Sequence, residues 1–336
     1  MRILFACHFK YQMAYGIMHK LVHGLIRGGH QVMLFDDRRV ARAATWFNSR
    51  KFGIPAANKR LVEACFEYQP ELLILGHCEM IANRTLETIR GMLPNIRMVY
   101  RNDDPLMHPQ NVKDMQSRTE SVDWIFSTTA GDALRQFSGK RAKIAHVPNP
   151  VDSVLDPGRA FERTDQAADV FYGIGGVYAG DPRPAYIAAL KEACPTVRFD
   201  VWGMNGRPGL FGQHYLEALF RAKMGLNYSR ENNVYLYSSD RMAQYMGNGL
   251  LTFIDRATGF TELFSEDAVG FYSDAAELAE KIRFFASDDA ARMETAKRGW
   301  ARIHDIFNSE KVGQFMVDCA FEKPFTHSYA WPTTAY

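Results

Sequence analysis

SDRMAQYMGNGLLTFIDRATGFTELF, residues Ser239–Phe264, decides the fold. It holds a short helix, glycines at Gly247 and Gly249, the apolar strand LLTFI, and a glycine turn leading toward another helix. A further strand at Val269–Tyr272 and a helix opened by Asp274 follow at even spacing. Glu277 stands three residues after Asp274, as in a capping box. Strands that alternate with helices in this way build a parallel sheet, because parallel neighbours need a crossover connection. Ligands of such sheets bind outside the carboxyl ends of the strands, where helix N-termini offer N–H groups to anions.

Outward from that stretch, the same alternation runs along most of the chain. Arg2–Cys7 reads as a strand, Ala14–Arg27 as an amphipathic helix stopped by Gly28 and Gly29, and His30–Phe35 as the next strand. That is one right-handed βαβ unit. Helices are expected at Ala57–Tyr68, Thr85–Met92, Val112–Thr119 and Gly131–Phe137. Strands are expected at Leu72–Gly76, Ile96–Arg101, Trp124–Thr128 and Ala142–Val147. The segment Asp152–Ala168 lacks periodicity and reads as a linker. Beyond it come strands at Val170–Gly173, Val197–Trp202 and Gly225–Tyr228, with helices at Pro184–Cys194 and Tyr215–Lys223. Helices at Ala290–Phe307 and Glu310–Phe321 close the chain. The expected class is α/β, with two doubly wound domains facing a cleft. The first spans 1–150, the second 151–306, and a helical tail 307–336.

Composition narrows the function. The 336 residues suffice for two domains of about 150 each. Forty basic and 38 acidic residues leave a net charge of +2, with no basic stripe of the kind that binds nucleic acid. Neither a secretory leader nor an apolar run of membrane-spanning length is read, so a soluble cytoplasmic protein is expected; peripheral membrane contact stays open. The five cysteines are odd in number, lack a CxxC pair, and read as buried reduced thiols. No Asp-x-Asp, GxxxxGK[ST], HExxH or GxSxG occurs, and the ten histidines lack metal-ligand spacing. No metal and no cofactor are expected.

Several clusters carry chemistry. Gly173–Tyr178 reads GxGGxY, whose Gly175 and Gly176 suit a backbone cradle for phosphate. The third glycine of the dinucleotide fingerprint is missing at Tyr178. The one acidic residue on the following strand is Asp200, so a nicotinamide cofactor fits poorly. Arg183, just beyond, either reaches a phosphate or lies in solvent. Ser238, Ser239, Arg241 and Tyr245 form the sharpest cluster. Ser239 or Asp240 can cap the helix there, whose positive end and Arg241 suit a diphosphate. Tyr245 either contacts the ligand or packs. In the first half, Gly76-His77-Cys78-Glu79 and Asn102-Asp103-Asp104-Pro105 both follow strands. Hydroxyl acceptors need carboxylates and imidazoles, and an inverting transfer needs a base. His77, Asp103 and Asp104 are the catalytic candidates, with turn chemistry as the alternative for the aspartates. His8 and Asn102, each at a strand end, are candidates for acceptor contact.

The opening block RILFACHFKYQMAYG with LVHGLIRGGHQVMLF, and above all residues 225–306, resemble the group 1 glycosyltransferases of the GT-B fold. The resemblance implies two Rossmann-like domains, a C-terminal tail packed back toward the first domain, and a loop at His8–Gly16 lining the cleft. It implies transfer of a sugar from a nucleotide diphosphate, UDP- or GDP-linked, to a hydroxyl of a glycan or glycolipid without a metal. Polysaccharide biosynthesis is the implied setting. The second domain would hold the donor, with backbone N–H groups of Gly259, Phe260 and Thr261 beneath its phosphates or sugar, and the first domain the acceptor. Two glutamates that such enzymes often carry eight residues apart correspond to Tyr237 and Tyr245 here. That departure resembles the divergent spore-maturation-type glycosyltransferase-like branch. It also keeps two alternatives open, a nucleotide-sugar epimerase of the same fold and a non-catalytic glycan-binding relative.

Overall fold

The computed structural model describes residues 1–9 and 16–336 and divides them into two compact units. The first contains the N-terminal strand, Gly16–Pro148 and Ser309–Tyr336; the second is Asn149–Asn308. The loop expected to line a cleft, His8–Gly16, lies mostly outside the described residues, as do Ala14 and Tyr15 of the first expected helix.

The first unit is built on six parallel strands: β1 (Arg2–Ala6), β2 (Gln31–Phe35), β3 (Leu72–Leu75), β4 (Arg97–Asn102), β5 (Trp124–Ser127) and β6 (Lys143–His146). Their order is β2-β1-β3-β4-β5-β6. Leu72–Leu75 is solvent-free along its whole length, which is why it reads as a continuous apolar run rather than an alternating one. Helices α1 (Ile17–Arg27), α2 (Asp37–Ala43), α3 (Arg50–Tyr68), α4 (Asn83–Met92) and α5 (Pro109–Arg118) connect the strands. Gly131–Phe137 is a 3₁₀ segment rather than an α-helix.

Two local differences from the sequence reading have clear causes. The polar α2 lacks an apolar stripe, yet Asp36 caps it by accepting from the Arg39 N–H at 2.8 Å. Helix α3 starts seven residues earlier than expected and runs through Pro55. Proline removes one helical bond. Packing holds the turn regardless: a Cβ on Gly53 would lie 1.7 Å from the Ala41 carbonyl oxygen, so only glycine lets α3 cross α2 this closely.

The second unit carries β7 (Ala168–Gly173), β8 (Phe199–Trp202), β9 (Ala222–Asn227), β10 (Leu251–Asp255) and β11 (Gly270–Tyr272), ordered β11-β10-β9-β7-β8 and all parallel. Its helices are α6 (Arg183–Ala193), α7 (Gly212–Phe220), α8 (Asp240–Gly247), α9 (Ala275–Ser287) and α10 (Asp289–Ile306). Asp274 caps α9 with both Ala276 and Glu277 N–H groups, and the Glu277 carboxylate accepts from the Ser273 N–H. The expected linker is ordered. It contains a 3₁₀ turn at Ala160–Glu162, and Asp152 and Asp156 are buried.

Helix α11 (Ser309–Ala320) belongs to the first unit, where it packs along α1. All five cysteines are buried and unbridged. Among the described residues, no helix is long and apolar enough to cross a membrane.

Candidate active site

In the second sheet, β8 lies to one side of β7 while β9, β10 and β11 lie to the other. The chain reverses its direction of travel between β7 and β9, and a crevice opens at their carboxyl ends. Three segments meet that edge by chain order: the glycine loop after β7, Tyr228–Arg230 after β9, and the N-terminus of α8.

The glycine loop is fixed at its base and open at its top. The Gly173 N–H donates to the Tyr245 hydroxyl at 3.1 Å. A Cβ on Gly175 or Gly176 would meet nothing within 4 Å. Arg183 braces the loop from beside it. Its Nε donates to Asp181 at 2.9 and 3.1 Å and its Nη2 to the Gly176 carbonyl at 3.1 Å. The fork of bonds from Arg183 holds the Asp181 carboxyl at a pKa of about 2. The expectation that Arg183 reaches a phosphate is therefore corrected. It is buried, its charge is met by Asp181, and it positions the loop.

Tyr245 is corrected as well. It is fully buried, edge-on to Phe171 with ring centroids 5.7 Å apart, and burial raises its phenol to about 12. Gly225 on β9 makes the room, since a Cβ there would lie 2.5 Å from the Tyr245 ring. The ring packs under the crevice and reaches it only through the Gly173 backbone.

Arg241 and Ser239 are brought to the α8 N-terminus. Arg241 Nη2 donates to the Tyr228 carbonyl at 2.9 Å and to Ser229 Oγ at 3.0 Å. Its Nε is buried without a hydrogen-bond partner. Ser239 occupies the N-cap position, but its hydroxyl makes no capping bond and has no partner either. Buried polar atoms left unpaired cost stability, so a helix start that carries two of them is a place where a polar ligand would be favoured. Ser238 instead turns inward and donates to the Ser239 carbonyl at 2.7 Å.

After β10 the expected helix is absent. Two 3₁₀ turns, Arg256–Thr258 and Phe260–Glu262, flank Gly259 at φ 77°. The Gly259 N–H bonds to the Arg256 carbonyl at 3.0 Å, so it is not the free donor expected under phosphates; the Phe260 side chain is buried. Thr261 is exposed.

One feature escaped the sequence reading. Tyr186 on α6 stacks flat on Tyr228 after β9, with centroids 3.9 Å apart and planes 7° from parallel. Neither tyrosine has a local motif; only the sheet order makes them neighbours. Asp200, weighed as a ribose ligand, is taken by Arg207 at 3.0 Å, whose guanidinium also lies 3.5 Å over Trp202.

In the first unit the switch falls between β1 and β3. Here the three catalytic candidates do come together. His77 lies between both aspartates, Nε2 3.7 Å from Asp103 and Nδ1 3.7 Å from Asp104. Those distances are beyond hydrogen bonding, so His77 sits in their field without being tied to either. Asp103 is paired closely with the fully buried Arg101, which also reaches the Pro148 carbonyl. Asp104 is half-exposed. A cavity of about 170 Å³ beside them is lined by His77, Tyr100, Asp104, Asn111, Asp114 and Arg118 among others.

Asn102 also lines this cavity, yet its amide donates to the Asp104 carbonyl at 2.8 Å and the residue is buried. That bond shapes the turn. His8 faces Asp36 at 3.4 Å, and Asp36 also accepts from the Phe9 N–H. Among the described residues no group of three or more His, Cys, Asp or Glu is placed to hold a metal ion.

Residues 183–318 match the family described as Glycosyl transferase-like. HepE of Anabaena, solved with UDP and glucose, superposes with a TM-score of 0.61 at 13% identity, over 96% of this chain and 100% of that one. AviGT4, a glycosyltransferase involved in avilamycin A biosynthesis, gives 0.59 at 13% identity, covering 96% and 97%. A UDP-forming trehalose-phosphate synthase from Burkholderia xenovorans gives 0.60 at 10% identity, covering 97% and 100%. No curated protein matches the sequence.

Proposed function

We propose that this chain is a nucleotide-sugar-dependent glycosyltransferase of the GT-B fold and group 1 type, and that it takes its donor at the β7–β9 edge of its second unit. The donor is read as UDP-linked, because the similar HepE was solved with UDP-glucose. The observation that carries the reading is the open ground above Gly175 and Gly176, beside a helix start whose Ser239 Oγ and Arg241 Nε have no partner. A diphosphate there receives backbone N–H groups, the positive end of α8 and the Arg241 charge. These donors favour the charge that develops on the leaving phosphate as the sugar–phosphate bond breaks, with no metal needed for that task.

The acceptor is a hydroxyl of a glycan or glycolipid, and the first unit supplies its base. His77 takes that role. Its ring accepts the proton of the acceptor hydroxyl, while Asp103, held by Arg101, stabilises the resulting imidazolium. A histidine flanked by two carboxylates also suits an epimerase, which would interconvert the donor sugar with no acceptor present.

A thermal-shift panel with UDP, GDP, CMP, dTDP and ADP, each with and without magnesium, tests the reading. A nucleotide at about a hundred times its Kd adds roughly 2.7 kcal/mol. The expected result is a shift with UDP that magnesium leaves unchanged and that Arg241→Ala abolishes. A panel with no shift at all would overturn the donor site.

A further inference from the structure

The turn between α2 and α3 presents aromatic rings to solvent. Trp46 is 96% exposed, Phe52 69% and Phe47 50%. The rings touch in series, Trp46 to Phe47 at 5.4 Å and Phe47 to Phe52 at 5.6 Å, both edge to face. Scattered apolar residues on a surface are ordinary, but a joined aromatic cluster costs stability in water unless something covers it.

The turn is built to stand out. Thr45 Oγ1 accepts from the Ser49 N–H at 2.7 Å and donates to the Arg42 carbonyl at 3.2 Å. Asn48 takes a left-handed φ of 59° to complete it. The tight α2–α3 crossing at Gly53 holds the tip in place. The cluster is thus pre-ordered, and a partner need not fix it at the moment of binding.

Charge around the tip has one sign. From Arg39 to Val62 the chain has Arg39, Arg42, Arg50, Lys51, Lys59 and Arg60, all exposed, and no Asp or Glu. The whole chain carries only +2, so this is a local excess. Lys59 approaches Glu63 at 3.7 Å, just past that segment.

We propose that the α2–α3 tip docks on an anionic lipid bilayer, its rings entering the headgroup region and its cations facing lipid phosphates. Indole and phenyl rings on a protruding turn need a partner that can be penetrated, and a bilayer surface is one. A rigid acidic protein surface or a nucleic-acid duplex would satisfy the cations but leave the Trp46 ring wet. The proposal does not use the transfer reaction, so its failure would leave the donor site untouched.

The test uses the full chain with sedimenting vesicles of phosphatidylcholine, alone or mixed with phosphatidylglycerol. Binding is expected only on the anionic vesicles, weakening with salt. Removing each cation should cost about fivefold, so Arg50→Glu with Lys51→Glu should cost at least 25-fold. Trp46→Ala should cost about tenfold or more, with an unchanged melting temperature because the side chain touches little. Acyl-brominated lipid should quench tryptophan emission in the parent and not in Trp46→Phe. Equal binding to neutral vesicles, indifference to these substitutions, or binding through the same residues to single-stranded DNA but not to vesicles would overturn it.

Discussion

Gly175→Ala separates what the fold requires from what a ligand requires. The added methyl would meet no heavy atom within 4 Å, and Gly175 is not among the residues with positive φ. Alanine at such a site removes freedom from the unfolded chain and stabilises by about 0.4–1 kcal/mol. For a protein of this size that raises Tm by a few degrees at most. The ligand sees the change differently. A phosphate oxygen bonded to the Gly175 N–H would lie about 3 Å from that nitrogen, against the space the new Cβ fills. UDP affinity should fall tenfold or more, about 1.4 kcal/mol.

Gly203→Ala is the control. Its φ is 85° and its Cβ would lie 2.0 Å from the Ile174 carbonyl oxygen, so it should lose about 2 kcal/mol of stability outright. Thermal denaturation with isothermal titration of UDP reads both terms. If Gly175→Ala binds UDP as tightly as the parent, no phosphate approaches that glycine. If it unfolds the protein, the space above the loop is not open.

Three further outcomes follow from packing and charge. A Cβ on Gly53 cannot fit against Ala41, so Gly53→Ala should destabilise by about 3 kcal/mol in urea unfolding and splay the α2–α3 pair. Burial pushes the His146 imidazole from 6.5 to about 4, with the nearby Arg101 charge acting in the same direction. Folded protein therefore stays neutral at this ring while unfolded chains take up a proton. Stability should be unaffected above pH 6.5 and fall by about 3 kcal/mol as pH drops toward 4, a slope that His146→Phe removes in urea titrations at stepped pH. The Asp181 carboxyl, held by Arg183 at about 2, contributes roughly 2 kcal/mol above pH 3.8 that is lost as pH falls through 2. Asp181→Asn should forfeit it at pH 7, read by the same unfolding curves.

Most strands were legible in the sequence because parallel strands buried on both faces read as plain apolar runs, Leu72–Leu75 above all. Helix α2 was not, since DRRVARA has no apolar period and depends on the Asp36 cap. Pro55 hid the start of α3, where packing on Ala41 outweighs a missing backbone bond. At the site, glycines and helix starts were readable from local pattern. The burial of Tyr245 was not, because it depends on Gly225 one strand away. The buried Arg101 beneath Asp103 and the Tyr186–Tyr228 stack likewise depend on strand order, which no local spacing encodes.

A crystal structure of the protein with UDP tests the central claim most directly. The account predicts diphosphate density over Gly175 and Gly176, with a phosphate oxygen within hydrogen-bond distance of Ser239 Oγ or Arg241 Nε. UDP seated elsewhere in the second unit, or on the first, would contradict it.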